Sequence, residues 1–197
     1  MKPNQCIRFA ALLGASLLFG SAACKVQEPQ APTTETTGAI EAAPHLAREP
    51  VKLVTEDKEF VTKAAQIGMI ETTLGRHVAA KASSPEVRAF GERMLTEHGR
   101  AHEELKAILA NKGIAIPAEI KKEHREEIAE LSELSGPKLD KEYASEVVEA
   151  HEKDVDEFRK ASKTLRDPEL REWATRTLSM LEGHLAAARA MKSRIAR

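Results

Sequence analysis

Glu71, His98, His151 and His184 are titratable side chains set inside apolar stripes, one in each of four long helical stretches. Residues three and four apart share a helix face. Phe60, Ala64, Ile67, Glu71, Leu74 and Val78 step in that way, as do Val87, Gly91, Met94, His98, Ala101, Leu105 and Ile108. The same period runs through Leu139, Tyr143, Val147, His151, Val155 and Phe158, and through Leu170, Trp173, Thr177, Leu181, His184, Ala188, Met191 and Ile195. Each polar group is therefore expected to face a core. Burying an ionised, unpaired carboxylate costs several kcal/mol, so Glu71 needs a partner. One carboxylate and three imidazoles can supply that partner as a single transition metal, for which Zn, Fe, Cu or Ni suits the donors. They can equally bond to one another with one imidazole protonated, a polar layer that fixes helix register without any ligand.

The spacing favours a meeting of the four. Glu71 lies fourteen residues before Pro85 and His98 thirteen after it; His151 lies seventeen before Pro168 and His184 sixteen after it. At 1.5 Å per residue the pairs sit about 20 Å and 25 Å from their turns, near mid-helix in each case. Facing helices of a bundle build metal sites from such positions.

The elements that would position them are marked by their ends. Ser84-Pro85-Glu86 and Asp167-Pro168-Glu169 each offer an N-cap, a proline at the first helical position and an acid in the first turn. Asn111-Lys112-Gly113 closes the second helix. Residues 114–136 form a crossover with a shorter helix over about Pro117–Leu134, which Ser135-Gly136-Pro137 breaks. Connections that run short, long, short predict an all-α, ferritin-like four-helix bundle: two hairpins joined by a long crossover with a short extra helix. The hairpins echo each other in Pro85-Glu86-Val87-Arg88 and Pro168-Glu169-Leu170-Arg171, and in Met94-Leu95-x-x-His98 and Met180-Leu181-x-x-His184.

Other histidines read differently. His102, four residues after His98, is expected at a solvated rim, His77 and His124 at the surface, and His45 in the tether. Tyr143 and Trp173 read as core fillers.

The beginning of the chain is an address. Lys2 and Arg8 precede an uncharged apolar run, Phe9–Gly20, and then Ser21-Ala22-Ala23-Cys24. That order is a secretory signal peptide, residues 1–23, too short in its apolar part to span a bilayer. Cys24 after two alanines predicts a lipidated first residue, although Ser21 stands where a bacterial lipobox usually carries Leu. Residues 24–55, rich in Pro, Thr, Glu and Gln, read as a disordered tether, and 56–197 as the bundle domain. The expected place is the periplasm, with Cys24 anchoring the protein to an envelope membrane.

Composition bounds the rest. The 197 residues carry 30 basic and 31 acidic side chains, a formal net charge of −1, which gives nucleic acid no attraction. The two cysteines, Cys6 and Cys24, both precede the domain, so neither a disulfide nor thiol chemistry is expected there. No phosphate loop, nucleophile elbow or Cys/His zinc pattern marks an enzyme class or a catalytic residue.

Asp57-x-x-Phe60, Ala64-Ala65-x-x-Gly68-x-x-Glu71, Ser84-Pro85-x-Val87, Met94-x-x-x-His98, Leu134-Ser135-Gly136-x-x-Leu139-Asp140-x-x-Tyr143, Val148-x-x-His151 and His184-Leu185 occur in that order. Over about Thr55–Ala190 this set resembles the bacterial envelope family called domain of unknown function 4142; Leu139 stands where that family usually has Phe. The resemblance implies a ferritin-like fold and export, and no established reaction. Di-iron proteins of that fold use Glu-x-x-His on two helices. Leu95 and Leu181 stand where those carboxylates would be, which leaves one inward Glu and room for one metal ion. The readings that follow are an envelope protein binding one metal ion, a structural or stress-protective lipoprotein with a hydrogen-bonded layer, and, third, a redox enzyme.

Overall fold

A computed structural model describes residues 52–197. The signal segment, most of the tether, Cys6, Cys24 and His45 lie outside the described residues. The described elements are all helices: α1 (Thr55–Lys81), α2 (Pro85–Ala110), α3 (Lys122–Ser132), α4 (Gly136–Thr164) and α5 (Pro168–Ile195). Leu53 is buried and α1 opens at Thr55, so packing begins just before the boundary at 56 that composition suggests. Among the described residues no helix is long and apolar enough to cross a membrane.

The long helices pack as two hairpins, α1 with α2 and α4 with α5. Each turn is set by the expected capping. Ser84 Oγ accepts from the Val87 amide, and the Asp167 carboxylate accepts from the Glu169 and Leu170 amides. α2 closes at Gly113, whose φ of 68° suits glycine; the Gly113 and Ile114 amides bond back to Ala110 and Leu109.

The hairpins are tied to each other reciprocally. The buried Asp57 on α1 accepts from the Arg166 and Asp167 amides in the α4–α5 turn, at 3.2 and 2.9 Å. The buried Asp140 on α4 accepts from the Ser83 and Ser84 amides in the α1–α2 turn, at 3.0 and 2.8 Å, and from the Ser83 hydroxyl. Arg88 donates to the Ala82 and Ser83 carbonyls, and Arg171 to that of Leu165. Asp57 is as far from Asp140 in sequence as Pro85 is from Pro168 and Arg88 from Arg171, which is the signature of an internal repeat. The aromatic core obeys it. Phe60 meets Trp173 at 6.1 Å and 63°, while their counterparts Tyr143 and Phe90 meet at 6.3 Å and 63°. The Met-Leu-x-x-His echo does not. In the register of the repeat His184 corresponds to Ala101, and His98 to Leu181.

α1 and α2 approach with backbone against backbone. A Cβ on Gly75 would lie 2.7 Å from the Gly91 carbonyl oxygen, and one on Gly91 would lie 2.9 Å from that of Gly75. Close contact on this side turns the α1 face, so that Ile67 and Leu74, expected in the core, are half-buried, and Ala65, Gly68 and Gly75 are buried. Between α1 and α4 lies a groove lined by α3 residues. α3 is shorter than the pattern suggests. Its start is delayed to Lys122 because Gln66 holds the preceding residues outside the helix, donating to Glu119 O at 2.9 Å and accepting from the Lys121 amide at 2.8 Å.

Candidate metal centre

Burial of Glu71, His98, His151 and His184 is as the stripes predict: all four are at most 4% exposed. The three histidines converge. Their ring centroids are 5.2–5.6 Å apart, and one nitrogen of each lies within 4.8 Å of the others. Glu71 sits on the far flank of that cluster. Its Oε1 is 3.8 Å from His151 Nδ1, and it groups with His151 and Asp154 instead of with His98 and His184. The four do not form one shell; His151 stands between two groups.

Hydrogen bonds fix the tautomers. His151 Nδ1 lies 3.0 Å from the Val147 carbonyl, which can only accept, so Nδ1 carries the proton and Nε2 the lone pair. His184 Nε2 lies 2.6 Å from Glu97 Oε2. Burial pushes the Glu97 carboxyl up, but bonds from His184 and from Arg93, at 3.1 Å, hold it below its ordinary value, so it is ionised and accepts. His184 Nε2 therefore donates, and Nδ1 carries the lone pair. These two lone pairs, His151 Nε2 and His184 Nδ1, face each other at 3.4 Å. His98 Nε2, buried, has no hydrogen-bond partner among the described residues.

Lone pairs placed in this way could be bridged by a cation, either a proton or a metal. Burial opposes the proton. It pushes His151 down to about 4, helped by His184. It pushes His98 well below its ordinary value and His184 below its own, against the pull of Glu97. A metal suits the nearest pair: ligands at 2.0–2.1 Å in a tetrahedron lie about 3.3 Å apart, against 3.4 Å between His151 Nε2 and His184 Nδ1, with a His98 nitrogen within 4.8 Å of both. Glu97–His184 is then the carboxylate that orients a ligating imidazole.

Glu97 escapes a reading of apolar stripes because it lies beside that of α2, and Asp154 because Val155 takes its place in the pattern, although Asp154 shares a face with His151 and Phe158. Position alone hints at them: Glu97 adjoins His98, and Asp154 follows His151 by three. The remaining histidines are less exposed than expected. His102 is half-buried, with a buried Nδ1 that lacks a partner among the described residues. His77 is half-buried and bonds the Leu134 carbonyl at 3.0 Å, which pins the end of the crossover. His124 is half-buried beside Glu127. Tyr143 and Trp173 are core residues, 1% and 2% exposed.

Fold and site together define a helical bundle with a buried histidine cluster. The chain belongs to the family described as "Domain of unknown function (DUF4142)", whose sequence profile matches residues 42–191. In three dimensions it is similar to a DUF305 fragment from Deinococcus radiodurans, with 16% identity, a TM-score of 0.64 and coverage of 73% of this chain and 99% of that one. Identity so low speaks to the fold alone. No curated protein matches the sequence.

Proposed function

We propose that this is an exported, ferritin-like bundle that binds a transition-metal ion through His98, His151 and His184, with Glu97 orienting His184. The observation that carries the reading is the pair of imidazole lone pairs facing each other at 3.4 Å, each fixed by an acceptor on the opposite ring nitrogen. Two antiparallel hairpins joined by a crossover support the ferritin-like description. The Lys2–Cys24 segment supports export and a lipid anchor at Cys24, which would hold the bundle at an envelope membrane. Three imidazoles, with no cysteine among the described residues, suit Zn, Cu, Ni or Fe. No residue is assigned a catalytic role, and binding, buffering or sensing of the ion is the activity proposed.

The test is zinc competition against a chromophoric chelator with the intact protein. One tight equivalent is expected, lost in His98→Ala and in His184→Ala while the circular dichroism stays helical. Equal uptake by wild type and both variants would sink it. The competing reading, a purely structural layer with His184 protonated and donating to His151, predicts no tight equivalent and full stability when His98 is replaced by Leu.

A further inference from the structure

The groove between α1 and α4 has a volume of about 420 Å³, and Glu71 and Asp154 both line it. Three observations make this pair more than scattered acids. The first is that Glu71 is 4% exposed, and its Oε2 is buried without a hydrogen-bond partner among the described residues. A buried acid with an unused oxygen lacks the compensation that such groups ordinarily have. The second is geometric: one oxygen of Glu71, one of Asp154 and one nitrogen of His151 lie within 4.8 Å of one another. The third is the repeat. Glu71 and Asp154 are separated by the same length of chain as Asp57 and Asp140, so the two hairpins present an acid from equivalent positions to one groove.

We propose that Glu71 and Asp154 form a second cation site, beside the histidine cluster, that takes a partly hydrated divalent ion from the groove. Two carboxylates with groove water are a hard, oxygen-rich donor set, suited to an ion such as Mn²⁺. His151 Nδ1 keeps its bond to Val147 and borders the site on the inner side. The wall is acidic: Glu127, Glu146 and Glu149 line the groove, against Lys121 and Lys153, while Lys63 is paired with Glu157 at 3.1 Å. Without a cation, burial and the Asp154 charge push the Glu71 carboxyl up to about 8. Burial and Glu157 push Asp154 up to about 7. A divalent ion would relieve both by favouring the ionised forms. This site does not need the histidine cluster to be a metal site; the two meet only at His151.

The experiment is Mn²⁺ titration of the intact protein, read by the electron paramagnetic resonance of free Mn²⁺, in zinc-free protein and again after one equivalent of Zn²⁺. One Mn²⁺ is expected in both forms. Asp154→Asn and Glu71→Gln should each weaken it at least about tenfold, since each removes one ligand charge, and should leave zinc uptake intact. His98→Ala plus His184→Ala should lose zinc and keep the Mn²⁺. No stoichiometric Mn²⁺, or Mn²⁺ binding unchanged in Asp154→Asn, overturns the proposal. Asp154 is half-buried, so its asparagine variant carries the test alone if Glu71→Gln fails to fold.

Discussion

The turn ends of this bundle repeat, and its middle does not. Asp57 and Asp140, Pro85 and Pro168, Arg88 and Arg171, and Phe60 and Tyr143 are equivalent pairs doing equivalent work. At the centre, His151, His184 and His98 correspond to Gly68, Ala101 and Leu181. Packing two hairpins against each other is a symmetric problem, because each turn needs its amides satisfied and each interface needs its core. Three nitrogens converging on one point is an asymmetric one, and here each histidine occupies a position whose counterpart is apolar or small. Glu71 and Asp154 belong to the symmetric set although they lie beside the asymmetric one.

The largest effect should come from the symmetric end. Asp57→Ala and Asp140→Ala each leave two turn amides without their acceptor. Unsatisfied buried groups cost about 1–3 kcal/mol each, so each variant should lose about 2–6 kcal/mol in urea unfolding, Asp140→Ala slightly the more because Asp140 also accepts from the Ser83 hydroxyl, with metal affinity unchanged. A large difference between the two would break the symmetry argument. Next comes Glu97→Gln. It removes the charge that orients His184, and losing such a partner lowers metal affinity about 10–100-fold; unfolding should barely change. Gly91→Ala follows, at about 1–3 kcal/mol of destabilisation from overpacking. Helix propensity alone predicts the opposite sign, so a stabilised variant would show that the helices separate freely.

The smallest effect is in pH. The Glu71 carboxyl, raised to about 8, keeps its proton in the folded chain where the unfolded chain, at its ordinary value of 4.5, has lost it. Folding then takes up a proton, and stability falls as pH rises through that window. The histidines act oppositely. His151, lowered to about 4, adds stability between pH 4 and 6.5 and nothing above. Above pH 6.5 Glu71 dominates and Asp154, raised to about 7, acts in the same sense, so the metal-free protein should lose about 1–2 kcal/mol between pH 6.5 and 8. Glu71→Gln should flatten most of that slope, as measured by thermal unfolding across the range.

What the sequence reveals follows from the same division. Caps are local chemistry, so Ser84-Pro85 and Asp167-Pro168 mark their helices without reference to the rest of the chain. His98, His151 and His184 are visible because each interrupts an apolar stripe. Burial alone does not say which flank of a ring a neighbour occupies, so Glu71 reads as a fourth member of the cluster when it sits on the opposite side of His151. Glu97 lies off the stripe of α2, and only the approach of α5 brings it to His184. Gln66, Asp57 and Asp140 act on segments distant in sequence; the two aspartates fall in phase with their stripes, three before Phe60 and Tyr143, but the turn each one caps is not legible from its own helix. The Met-Leu-x-x-His echo misleads because its spacing differs from that of the repeat by three residues, close to one helical turn.

X-ray absorption at the zinc edge, on intact protein loaded with one equivalent of Zn²⁺, tests the histidine centre most directly. The expected spectrum has three imidazole nitrogens at about 2.0–2.1 Å from the zinc, reduced by one in His98→Ala. A shell of oxygens alone, or a spectrum identical in wild type and His98→Ala, would contradict it.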